Sequence, residues 1–174
     1  MNDLSHSRGA LGADDSIAFQ RLLPAPIERC WAFLTQDDLR RRWLAGGKMT
    51  LENGAPFVWT WRNDELGATP SVRPEGFSAE HRMESRVIEV DPPHRLVVAW
   101  GEGDVTFALQ PSGARTLLTL THRRIADRDA KVQIAAGWHA HLDILARAAE
   151  GREAPAFWPA WEALRDDYGK RIPG

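Results

Sequence analysis

The sequence predicts an α+β domain in which a curved antiparallel sheet folds around one long helix near the C-terminal end. Three observations carry this. From Met83 to Arg123, β-rich runs follow one another: MESRVIEV, RLVVAWG, VTFALQ and RTLLTLTHR. The breaks DPPH and PSGA separate them, as turns separate the strands of a meander. After Asp127 the period changes to that of a helix, and Ala135, Trp138, Leu142, Leu145 and Ala149 fall on one apolar stripe. A sheet bent round such a helix encloses an interior, and a ligand would be held there.

The elements follow in order. Residues 1–15 are polar and aperiodic and read as a disordered leader. The domain itself spans 16–150, and 151–174 form a linker and a C-terminal helical extension. Ser16–Leu23 alternates as a first strand and stops at Pro24-Ala25-Pro26. Pro26 suits the first helical position of IERCWAFLT, where its missing N–H is not needed. Ile27, Cys30, Trp31 and Leu34 then share one face. Thr35 with Asp38 resembles a capping box opening a second short helix, QDDLRRRWL, which Gly46-Gly47 ends. Lys48–Leu51 reads as a strand and Asn53-Gly54 as its hairpin turn. In Phe57–Trp61, alternation puts Phe57, Trp59 and Trp61 on one face. The long Pro- and Gly-containing segment 62–82 is expected to be a flap over a cavity mouth, anchored by Phe77. The strands Glu84–Val90, Leu96–Trp100, Asp104–Gln110 and Arg115–Arg123 precede the major helix Asp127–Glu150, and Trp158–Arg171 reads as an amphipathic terminal helix.

Composition bounds the function. A chain of 174 residues, 43% hydrophobic and 26% charged, is one ordinary globular domain that buries a core without a covalent staple. The single cysteine, Cys30, sits in an apolar helical run and reads as a buried thiol; no thiolate zinc pattern is present. Lys and Arg total 22 against 24 Asp and Glu, a net charge of -2 that supplies no field for nucleic acid. The run Arg40-Arg41-Arg42 reads as a solvated helix face. Residues 1–16 show no signal-peptide pattern, and no apolar run approaches a membrane span. No membrane insertion and a cytoplasmic location are therefore expected.

Eight tryptophans are many for this length, and around one interior they would make an apolar wall with a few directional N–H groups. On the last strand Leu118, Leu120 and His122 share the core-directed face, which sets an imidazole at the end of an apolar row. His141 flanks the Trp138 stripe one turn on. His139 and His141 are two apart and do not face each other on a helix, so the spacing of a zinc pair is missing and no metal or other cofactor is expected. Gly137 in mid-helix costs about 1 kcal/mol relative to Ala, a cost explained by a close backbone approach or by room for a ligand beside Trp138. No nucleophile elbow, phosphate loop or dinucleotide fingerprint is found. Glu84 and Glu89 fall on opposite strand faces by parity and so do not form an acid/base pair.

The IERCWAFLT helix, the downstream RRRWL, the runs RVIEVDPPHRLVVAW and VTFALQPSGARTLLTLTHRRI, and the helix start AGWHAHLDIL together resemble the START-like, helix-grip proteins. Within these, they are most similar to the branch of the SRPBCC superfamily named after the activator of the heat-shock-chaperone ATPase. The resemblance covers about residues 16–150, and WPAWEALRDDYGKRI looks like an extension seen in a bacterial subset. It implies a hydrophobic cavity of the kind that holds lipids, sterols, polyketides or aromatic metabolites. It carries over no catalytic residue, because the branch shares no catalytic motif. The leading expectation is a small apolar or aromatic molecule held among Trp59, Trp61, Trp100, Phe107, Leu120, Trp138 and Leu142, with His122 and His141 as polar handles. Two alternatives stand beside it. One is a cyclase, dehydratase or hydrolase using His122 or His141 as acid or base. The other is a chaperone cofactor or homodimer that docks through the sheet or the WPAWEAL helix.

Overall fold

The computed structural model describes residues 7–174. The chain runs β1 (Ala10–Leu11), β2 (Ile17–Leu23), α1 (Ile27–Thr35), α2 (Asp37–Arg40), β3 (Pro56–Trp61), β4 (His81–Asp91), β5 (Arg95–Trp100), β6 (Gly103–Ser112), β7 (Arg115–Arg123), α3 (Arg128–Ala149) and α4 (Phe157–Arg171). All strands lie in one antiparallel sheet of order β1-β2-β7-β6-β5-β4-β3. The meander β4 to β7 is as expected, and α3 packs against the sheet, which is the helix-grip arrangement. Asp127 caps α3 by accepting from the Ala130 amide at 2.8 Å.

The alternation read from the sequence decides the core. Phe57, Trp59 and Trp61 are buried on β3, as are Leu118, Leu120 and His122 on β7. On α3 burial extends beyond one stripe to Val132, Ala136, His139, His141 and Ile144, because α4 covers the side away from the sheet. The terminal helix is thus a layer of the domain. Arg128 donates to the Gly169 and Ile172 carbonyls, and the Tyr168 hydroxyl reaches His139 Nδ1 at 2.8 Å.

Several local expectations differ from what is found. The leader expected over 1–15 lies partly outside the described residues. Within 7–15, Ala10–Leu11 pairs with β2, Arg8 bonds Asp167, and the Gly9 amide donates to Tyr168. Lys48–Leu51 forms no strand. The chain instead touches β3 by one bridge, Gly46 to Thr60, and passes so close that a Cβ on Gly47 (φ +125°) would lie 2.0 Å from the Val58 carbonyl. Asn53-Gly54 is not a hairpin turn but a patch on β4: Gly54 N–H donates to Val87 O and Asn53 Oδ1 accepts from Val90 N–H. It sits at a bulge between Val87 and Glu89, and the extra residue leaves Glu84 and Glu89 both exposed rather than on opposite faces. Thr35 builds no capping box; its hydroxyl donates back to Trp31 O, and Gln36 takes the N-cap of α2.

Arg40 departs most from its expected place. It is 1% exposed and donates to the carbonyls of Leu34, Thr35, Ala45 and Gly47, with its guanidinium 5.1 Å from the Trp59 ring centroid. It thereby satisfies the open carbonyls at the end of α1 and ties down the loop before β3. Burial lowers its pKa to about 10, which leaves it charged at neutral pH. Arg41 and Arg42 are exposed, as read. No helix among the described residues is long and apolar enough to cross a membrane. Replacing Arg40 with Met would leave four carbonyls without their donor. Arg40→Met is expected to lose about 3 kcal/mol of unfolding free energy in urea titrations, against under about 0.5 kcal/mol for Arg42→Met.

Candidate functional site

Most of the space between sheet and helix is filled. Trp59, Phe107, Leu120, His122 and Leu142 are each at most 2% exposed and line no hollow. Trp138 Nε1 donates to His122 Nδ1 at 3.0 Å, so the proton of the neutral His122 ring sits on Nε2. Burial pushes the His122 pKa down to about 4 against the opposing pull of Asp104. The five residues just named form the floor on which a site rests, not its wall.

The opening lies further along α3. A hollow of about 360 Å³ is bounded by Trp61 of β3, Met83 of β4, Trp100 of β5, and Gly137 and His141 of α3. Phe157, Trp158 and Trp161 of α4 close it from the other side, Asn63 and Phe77 contribute from the connection between β3 and β4, and His81 from the start of β4. A smaller hollow of about 90 Å³ adjoins it under Leu44, Ile134 and Trp138, with Trp61, Trp100, Gly137 and His141 common to both. Of the residues expected to hold a ligand, then, Trp61, Trp100, Trp138 and His141 come together here. The ring centroids of Trp61 and Trp100 are 5.3 Å apart, and those of Trp100 and Trp138 are 5.1 Å apart.

Gly137 explains why the space exists. A Cβ built on it meets no atom within 4 Å, so the gap in the helix face opens on empty volume. Of the two reasons the sequence allowed for a mid-helix glycine, room beside Trp138 is the one found.

The segment after β3 is an ordered strap. A 3-10 turn (Asn63–Glu65) places Asp64, whose carboxylate accepts from Trp158 Nε1 at 2.8 Å and from Arg73 at 2.6 Å. The Ala68 amide bonds Ala154 O, and the Phe157 amide bonds Leu66 O. Phe77 reaches over the hollow with its ring 4.9 Å from Trp158 and 5.2 Å from Trp161. Sequence reasoning found Phe77 but missed Asn63, His81, Met83, Phe157, Trp158 and Trp161. The clustered rings of FWPAW were a usable signal for the last three.

His141 is the polar group that α3 brings to this site, and Asn63, Ser78 and His81 line it from the strap and the start of β4. Its Nδ1 lies 2.8 Å from the Trp43 carbonyl, and its ring centroid is 4.6 Å from that of Phe157. Burial pushes its pKa down to about 4, and the carbonyl bond offsets only part of this. His139 points elsewhere, to Tyr168 and Asp143. Among the described residues, no three His, Cys, Asp or Glu side chains are grouped to hold a metal ion. A larger depression of about 540 Å³ lies beside α2 and carries Arg41, Arg42, Arg62 and Arg82. It is an ion-paired surface: Arg41 meets Asp37, and Arg62 and Arg82 share Glu80.

Residues 24–150 match the family described as Activator of Hsp90 ATPase homolog 1-like protein. The chain belongs to this family. A protein from Bordetella parapertussis solved by NMR is 36% identical, over 99% of this chain and 94% of that one, with a TM-score of 0.81. The AHSA1-like protein from Aeromonas hydrophila is 19% identical, over 78% and 92% of the two chains, with a TM-score of 0.62. CalU16 from Micromonospora echinospora is also 19% identical, over 96% of each chain, with a TM-score of 0.67. These last two show a shared fold. No curated protein matches the chain. The family match covers α1 to α3; the strap's partner α4 lies beyond it.

Two of the buried histidines, His122 and His141, set a pH dependence. Both are held neutral in the fold with pKa about 4, against 6.5 when exposed. The unfolded chain therefore binds more protons between these values, and stability falls as pH drops through that window. Each histidine contributes a slope of at most about 1.4 kcal/mol per pH unit. Urea midpoints should be flat above pH 7 and decline from pH 6.5 toward 4, and His141→Phe should remove about half of the decline.

Proposed function

We propose that this AHSA1-like protein binds a small, flat, apolar or aromatic molecule in the hollow between β3–β5, α3 and α4. The observation that carries the reading is the open space at Gly137, faced by Trp61, Trp100, Phe157, Trp158 and Trp161. A volume of about 360 Å³ suits a molecule of two or three fused rings. The walls carry no Asp, Glu, Lys or Arg, so an uncharged ligand is favoured over an ion. The family match and the fold it shares with CalU16 agree with a cavity protein.

Binding without turnover is the reading the histidines support best. His122 lines neither hollow, and a ring with a pKa near 4 is a weak base for proton transfer at neutral pH. A role as a chaperone cofactor or a homodimer has no specific observation in its favour.

The test fills the hollow from the helix. Gly137→Leu puts a branched side chain into the empty volume while improving helix propensity by about 0.8 kcal/mol. It is expected to keep or raise the unfolding free energy and to weaken binding of 2-naphthol by about tenfold or more, read by calorimetry. Unchanged affinity in a folded Gly137→Leu protein would remove the hollow as the site.

A further inference from the structure

The hollow is lined by the polar side chains of Asn63, Ser78, His81 and His141 as well as by indoles, and the role of His141 is fixed by its partner. His141 Nδ1 is held by the Trp43 carbonyl, which can only accept, so Nδ1 carries the ring hydrogen. In the neutral ring the second nitrogen, Nε2, is then a bare lone pair. Among the described residues it bonds no other group. Among the described residues, the buried side-chain nitrogens and oxygens left without a partner are Arg21 Nε, Trp59 Nε1 and Asn63 Oδ1. His141 Nε2 is not one of them, so this atom is not sealed away, and His141 borders both hollows. The indole nitrogens of Trp61, Trp100 and Trp161, which can only donate, are likewise unbonded and unsealed. An acceptor thus stands at the helix side of an aromatic slot, and the buried Oδ1 of Asn63, without a partner among the described residues, is a second acceptor in its lining.

We infer that the hollow selects ligands bearing a hydrogen-bond donor, an aryl hydroxyl or ring N–H, which gives its hydrogen to His141 Nε2 while the apolar body lies against Trp61 and Trp100. This rests on the binding role proposed above and adds its chemical selectivity. Trp43 acts as the positioning residue. Its carbonyl locks the tautomer, and its side chain, 0% exposed and bonded from Nε1 to the Phe33 carbonyl at 2.9 Å, cannot move freely. A ligand of the same shape lacking the donor would strip water from Nε2 and give nothing back, and a site so built discriminates strongly.

The experiment compares 2-naphthol with 2-methoxynaphthalene. The two share a flat body and an ether- or hydroxyl-type acceptor oxygen, and only the first donates. Calorimetry at pH 7.5 should find 2-naphthol bound about tenfold more tightly by the unaltered protein, with the ratio near one in His141→Phe. In protein labelled with 15N-histidine, the unprotonated Nε2 resonance of His141 should shift with 2-naphthol and stay with 2-methoxynaphthalene, a readout that needs no variant. Equal affinities, or a preference that persists in folded His141→Phe, would overturn the donor selectivity while leaving the binding role intact. If neither compound binds, the binding role falls and the selectivity with it.

Discussion

The structure turns on how α3 is buried from two sides while the place beside Gly137 is left unfilled. The sheet takes the Trp138 and Leu142 side, α4 meets His139 through Tyr168 and His141 through Phe157, and Gly137 supplies nothing to the seam between them. A helix this enclosed is normally packed throughout, and a missing side chain leaves its neighbours without contacts on one side. Here the neighbours are large rings, whose rigidity keeps them from collapsing into the gap. Trp59, Trp61, Trp100 and Trp138 form a continuous series of ring contacts from β3 to α3. Trp158 and Trp161 do the same on α4, at 5.6 Å.

Two polar anchors hold the walls of that gap. Asp64 joins the strap after β3 to α4 through Trp158. The Trp43 carbonyl joins the segment after α2 to α3 through His141. Both place an acceptor opposite an N–H in a largely buried setting, where a satisfied hydrogen bond rigidifies and a broken one is costly. Arg40 works one layer further out, fixing the end of α1 and the loop that leads to β3. The open site is therefore surrounded by fixed parts, which is what a preorganised pocket requires.

Much of the fold was legible because its signals are local. Period-two runs gave β2 and β4 to β7, and the breaks at DPPH and PSGA fell where the turns are. Helical period gave α1, α3 and α4. Lys48–Leu51 misled because its composition suits a strand, while the chain beside β3 pairs with it through the single Gly46–Thr60 bridge and then turns to β4 at Asn53-Gly54. The bulge in β4 defeated the parity argument for Glu89, since an inserted residue leaves no mark in the pattern. The site was half legible. Trp61, Trp100, Trp138 and His141 were placed by strand and helix geometry. The contribution of α4 depends on a tertiary contact over residues far apart in sequence, and nothing local announces that FWPAW folds back onto the strap. Arg40 was hidden by its neighbours: in a run of three arginines, only the packing says which one is inside.

The proposed binding role requires an aromatic ligand to enter the space beside Gly137. Its most direct test is the indole N–H spectrum of 15N-tryptophan-labelled protein, with eight resonances, recorded during a 2-naphthol titration. The resonances of Trp61, Trp100 and Trp161 should move together and saturate, while that of Trp31 on the remote α1 stays still. A titration that leaves all eight unmoved, or that moves Trp31 most, would contradict the account.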